Sequence, residues 1–290
     1  MSPHAALDER PGTATTATRA PAPPRAENPV ARSLARSWRP IVFAVVAFAL
    51  WWVTTATGLL PPYLVPSPAE TWSAFADNLG YFASNTWVTL LETLIGFAIA
   101  VVVGEAVAIA MVYSPNLERT IYPVVLFAQV IPKIAIAPLF VVWLGFGVGP
   151  KIIVAVLMAF FPIVISGLAG LRDVDPEVLE LTSTMGAGRF KVFRKIQFPA
   201  SLPQLFSGLK VAATLAVTGA VVGEFVGANS GLGYVILQAN GNVDTASLFV
   251  ALIIMSIVGV LMFAAIQLIE RLVIPWHASQ RGLGSNTVQL

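Results

Sequence analysis

The chain contains no cysteine, and its two histidines, His4 and His277, lie close to its ends. Disulfides, thiolate metal sites and cysteine nucleophiles are excluded, and the body of the chain has no histidine for a catalytic triad or metal site. The Gly-Lys pair at the heart of a phosphate loop never occurs. Any ATP that drives this protein is therefore hydrolysed by another polypeptide. Charge is also scarce: 11% of the 290 residues are Asp, Glu, Lys or Arg, against about 25% in soluble domains. With 57% hydrophobic residues in their place, the class is an integral membrane protein. The few basic residues flank apolar runs and form no nucleic-acid surface.

Six such runs are present, at about 41–60, 86–113, 120–144, 152–171, 203–227 and 246–274. Each suffices to cross a hydrocarbon core of about 30 Å, which takes ~20 helical residues. They are too long for barrel strands, so helices are the spanning form. The expected fold is all-α: a transmembrane domain over 38–276 between two tails, 1–37 and 277–290. The first tail is rich in Ala, Pro, Thr and Arg, buries too little to order itself, and reads as disordered. Apart from Lys133 and Lys151, every Lys and Arg falls in a tail or beside it (Arg39, Arg271), in the second-to-third connection, or in the fourth-to-fifth connection and its edge. The positive-inside rule puts these parts, and both termini, in the cytoplasm.

The outward connections lack basic residues. Ser67 is placed to cap a short helix from Pro68 to Leu79, and Trp72, Tyr81, Phe82 and Trp87 fit an interfacial aromatic belt. Residues 227–245 combine a glycine cluster with an amphipathic piece suited to dip back into the protein. Non-helical backbone at membrane depth must be buried or line a cavity, which makes Asn229 a pathway candidate.

Polar residues within the runs extend that list. The third run carries Pro123, Pro132 and Pro138, which invite kinks, with Gln129 and Lys133 among them. Lys133 lies too deep to reach either surface and is read in two ways. One is a translocation-path residue; the other is a buried cation paired with Glu92, Glu105 or Glu224. Glu224 either caps the glycine loop or meets Lys133. The pathway candidates are thus Gln129, Lys133, Glu224 and Asn229. Ala and Gly along 96–110 and 208–223 suggest close helix packing.

Residues 175–199 stand apart as a basic, amphipathic elbow. Asp175 and Pro176 start a short helix, and Gly186 stops it. A second helical piece follows, with Phe190, Phe193 and Ile196 on one side, and Pro199 and Pro203 are expected to end it. Glu180, Gly186, Ile196 and Pro199 match in type and spacing the EAA loop of ABC-importer permeases. Leu181 and Thr182 stand where that loop usually has two alanines. LVPSPA at 64–69, QVIPKIAIAPLFVVWLG at 129–145 and GEFVGANSGLGY at 223–234 resemble the subfamily for nitrate, taurine, sulfonates and thiamine precursors. Lys133 stands where many sulfonate-type members have a second proline, so a pyrimidine-type vitamin precursor is at least as compatible.

The resemblance implies a six-helix, type I importer permease in a bacterial plasma membrane. It implies no catalytic or metal site and no cofactor on this chain, with ATP and Mg on a partner ATPase. Two ATPase copies, an extracytoplasmic substrate-binding protein and a second copy of the permease would complete the assembly within the lipid. Glu180, Thr182, Met185, Gly186, Ala187, Phe190, Phe193, Ile196 and Pro199 would form the coupling surface. The alternative is a self-contained secondary transporter or channel, which a neighbouring phosphate-loop ATPase gene would argue against.

Overall fold

The computed structural model describes residues 29–275, with side chains from Trp38 onward. The expected tails therefore lie outside the described residues, except for 29–37. That stretch is already helical, in α1 (Pro29–Ala56).

A short connection leads to α2 (Pro68–Asp77), which Ser67 caps as its sequence predicts. The Ser67 hydroxyl accepts from Glu70 N at 3.2 Å while Glu70 Oε2 accepts from Ser67 N at 2.8 Å, a reciprocal capping box. After α2 comes α3 (Leu79–Tyr113), the second span. Trp72 and Trp87 remain exposed, as a belt requires, but Phe82 is buried and packs against Phe75.

The third apolar run departs from one straight helix. It forms α4 (Pro115–Val130) and α5 (Lys133–Leu144), bent by 98° at the break. Pro132 causes the break: it lacks an N–H and forces the residue before it out of helical geometry. Ile131 accordingly adopts ψ 128°. Pro123 and Pro138 lie within their helices without ending them. Counting the bent pair as one crossing gives six spans.

Next, α6 (Val148–Arg172) forms the centre of the packing, with α3 on one side and α9 (Phe198–Phe225) on another. Small residues let these backbones approach. A Cβ at Gly219 would come within 2.7 Å of Ala155 Cα, and one at Gly96 within 2.6 Å of Ala155 Cβ. Ala212, Ala213 and Ala216 on α9 are fully covered.

Between α6 and α9 run α7 (Pro176–Thr184), α8 (Arg189–Val192) and a π-helical turn, Phe193–Gln197. The turn merges directly into α9, so Pro199 and Pro203 do not end the second elbow piece. Pro199 falls in the first turn of α9, where a missing N–H is tolerated. Finally, α10 (Leu232–Gly241) folds back against α3, α9 and α11 (Thr245–Val273), burying Leu232, Val235 and Ala239.

Candidate functional site

Two polar assemblies stand out, one at each end of the bundle. The first is the elbow. Asp175 opens α7 by accepting from Glu177 N at 2.9 Å. At its other end, Gly186 adopts φ 69°, Gly186 N donates to Ser183 O at 3.0 Å, and Ala187 N donates to Thr182 O at 3.1 Å. This paired pattern is a Schellman stop. It fixes the angle at which α8 leaves.

The elbow has two faces. Leu181, Met185 and Phe190 form the outer one and are 61%, 76% and 75% exposed. Arg189, Lys191, Arg194 and Lys195 are exposed around it, as is Glu180. Apolar side chains left bare amid charge mark a contact surface. The inner face belongs to Phe193, which the sequence grouped with the outward anchors. Its ring meets Tyr113 edge-on at 5.9 Å and Phe198 at 5.8 Å. The Tyr113 hydroxyl donates to Gln197 Oε1 at 3.0 Å. The elbow is thereby clamped to the end of α3. Thr182, Ala187, Ile196 and Pro199 are half-buried, and Arg172 pairs with Glu118 to join the end of α6 to the start of α4. Between the elbow and α3 lies a groove of about 400 Å³ lined by Tyr113, Leu179, Thr182 and Gln197 among others.

The second assembly surrounds the glycine loop at the opposite end. Three successive N–H groups at the start of α10 are each captured by a side chain. Gly231 N donates to Asn85 Oδ1 at 2.8 Å, Leu232 N to Thr89 Oγ1 at 2.8 Å, and Gly233 N to Glu224 Oε2. These are the orphan donors of a helix N-terminus, and α3 and α9 supply the acceptors. Of the two roles open for Glu224, the structure realises the cap: its side chain is fully buried, and Oε1 lies 2.7 Å from Thr89 Oγ1. Beside it, Lys151 Nζ meets Glu92 Oε1 at 2.8 Å in a buried ion pair.

Lys133 forms neither of the pairs considered for it with Glu92 or Glu224. Its ammonium lies 4.8 Å from the Phe161 ring centre and donates to Gln129 O at 3.1 Å, at the break between α4 and α5. Nor does Glu105 meet it, since both carboxylate oxygens of Glu105 are buried without a partner among the described residues. The pathway candidates are therefore dispersed: Gln129 and Lys133 at the break, Asn229 exposed in the glycine loop, Glu224 buried beneath that loop.

Sequence reasoning missed Tyr113, Gln197 and the polar face of α3. The signal for that face was present: Asn85, Thr89 and Glu92 follow at i, i+4 and i+7, one side of a helix.

The geometry has counterparts elsewhere. A family profile described as "Binding-protein-dependent transport system inner membrane component" matches residues 96–275. The formylaminopyrimidine transport permease protein ThiX of Halalkalibacterium halodurans is 36% identical over 83% of this chain and 96% of its own length. The riboflavin transport system permease protein RibX of Chloroflexus aurantiacus is 34% identical over 87% of this chain and 96% of its own. A chain of the MetNI methionine ABC transporter, in an inward-facing conformation, shares the fold. Its TM-score is 0.61 at 23% identity, covering 67% of this chain and 97% of that one.

Proposed function

The chain belongs to the family of binding-protein-dependent transport system inner membrane components, and from that premise we propose how its elbow and pathway serve import. It is a multi-pass membrane protein, the non-catalytic permease subunit of an ABC importer, working with an ATPase and a substrate-binding protein.

In the proposed assembly two identical permease copies engage two ATPase subunits, one elbow each. ATP and Mg are held by the ATPases. Both termini and the elbow lie on the cytoplasmic side, where the basic residues concentrate, and α10 and the glycine loop face the binding protein. The observation that carries this reading is the bare apolar triad Leu181, Met185 and Phe190 on a turn stiffened by its Schellman stop. These three side chains enter a groove on the ATPase. The inner clamp of Phe193, Gln197 and Tyr113 passes the resulting displacement to α3. Thr182, Ala187, Ile196 and Pro199 keep the elbow's shape, and Glu180 contributes at its exposed rim.

Along the pathway, Gln129 and Lys133 line the break between α4 and α5, and Asn229 lies at the outer mouth. Glu224 acts through the loop it holds. The solute is small and polar. Within the sulfonate, nitrate, taurine and vitamin-precursor range, the names of ThiX and RibX favour a nitrogen heterocycle of the vitamin-precursor kind.

Co-purification tests the docking claim. The Met185→Asp/Phe190→Asp permease is expected to lose the co-expressed ATPase while keeping its own thermal stability. Full recovery of the ATPase with that variant would refute the elbow's role.

A further inference from the structure

The helix α9 is the most buried of the spans, yet one stripe along it is uncovered. Gln204, Ser207, Val211 and Thr218 are exposed and Thr214 is half-buried. Their spacing of three and four residues puts them on a single face. Four of the five are polar. The bare face of α3 is different: it carries Leu94, Ile95, Ile99, Val102 and Val103, all aliphatic and suited to lipid. Even where the hydroxyls of the α9 stripe bond back to their own helix, their remaining lone pairs find no donor in hydrocarbon, so the stripe belongs against water, solute or protein.

At mid-span the stripe borders a groove of about 450 Å³ between α9 and α11, lined by Thr214, Thr218, Met255, Ser256, Gly259 and Phe263 among others. The hydroxyl protons there are already used. Thr214 donates to Val211 O at 2.8 Å, Thr218 to Thr214 O at 3.2 Å, and Ser256 to Leu252 O at 2.8 Å. What the three hydroxyls offer a visitor is acceptor lone pairs. Among the described residues no cation lines this groove, and Lys210, one turn away on the same helix, is tied to Glu270 at 2.7 Å. A nitrate or a simple sulfonate group brings only acceptors and negative charge, and among the described residues lining the groove it meets no free donor. Met255 and Phe263 add a soft apolar wall suited to a flat ring.

We infer that Thr214, Thr218 and Ser256 form a mid-membrane contact site for the transported solute, selecting a neutral heterocycle with N–H or amino donors over an anion. This deepens the importer reading and rests on it.

The natural absence of cysteine makes the test direct. Thr214→Cys and Thr218→Cys, with Val102→Cys as lipid-facing control, are labelled by a membrane-impermeant methanethiosulfonate in vesicles holding the complete importer. The thiols on α9 should react and the control should not, and formylaminopyrimidine but not ethanesulfonate, an anion with no N–H, should protect them. The isosteric Thr214→Val/Thr218→Val pair should lower formylaminopyrimidine uptake by about tenfold, the order expected for two lost hydrogen bonds, with ATP hydrolysis retained. Silence at both α9 positions, or a disulfide forming between the two copies there, would overturn the site, since the stripe would then face lipid or the other permease. Protection by ethanesulfonate instead would overturn the donor argument. Wild-type vesicles that carry taurine but not formylaminopyrimidine would refute the substrate class proposed above, while labelling still decides whether the stripe lines the path.

Discussion

Among single residues, the buried pair Lys151–Glu92 makes the sharpest demand. Both side chains are almost wholly buried, and removing one partner leaves an uncompensated charge, at a cost of about 3–5 kcal/mol. Lys151→Met should therefore markedly lower the melting temperature of the purified protein, and Lys151→Met with Glu92→Gln should recover most of the loss. An unchanged melting temperature in the single variant would show that the pair is not formed. Glu70 gives a prediction with a sign. The Ser67 backbone N–H, and then its hydroxyl, hold the exposed Glu70 carboxylate below its ordinary range. Its contribution to the α2 cap is therefore complete above the usual Glu pKa and disappears as pH falls through the lowered value. Ser67→Ala, expected to cost about 1 kcal/mol as a lost cap, should destabilise the protein at neutral pH and less so in acid. A pH-independent difference would contradict the hydrogen bond from the Ser67 hydroxyl to the Glu70 carboxylate. The Ser67 cap was legible in the sequence because capping is local. The Lys151 pairing was not, since it joins residues 59 positions apart and depends on how α3 and α6 pack.

Among elements, the elbow shows what periodicity reveals and what it leaves open. Its two pieces, the stop at Gly186 and the capping Asp175 follow from residue type and spacing. The inward turn of Phe193 does not. It depends on the π turn at Phe193–Gln197, whose extra residue rotates the chain relative to a regular helix and brings Phe193 and Gln197 to Tyr113. The 98° break at Pro132 is a similar case: three prolines announced kinks, and their spacing did not say which one would become a break. At Gly186 a Cβ would meet nothing within 4 Å, so the constraint is the left-handed backbone. Gly186→Val should cost at least the roughly 1–2 kcal/mol expected of a side chain forced into that region. It should change the angle of α8 and leave ATP hydrolysis running with little transport. Tight coupling in that variant would remove the elbow's rigidity from the account.

At the scale of the whole molecule, α3, α6 and α9 connect the glycine-loop end to the elbow end, the two ends proposed to receive substrate and energy. The α3 helix begins in the Asn85–Thr89–Glu92 network and ends at Tyr113 under the elbow, so one rigid element touches both. Composition alone established the membrane class, and the resemblance of Glu180, Gly186, Ile196 and Pro199 to the EAA loop pointed to an energy-coupled importer. The most direct measurement is uptake of labelled formylaminopyrimidine into vesicles holding this permease, its ATPase and the binding protein, with each component omitted in turn. The account predicts uptake that requires ATP, the ATPase and the binding protein together. Uptake driven by an ion gradient through the permease alone would contradict it and make the chain a secondary transporter.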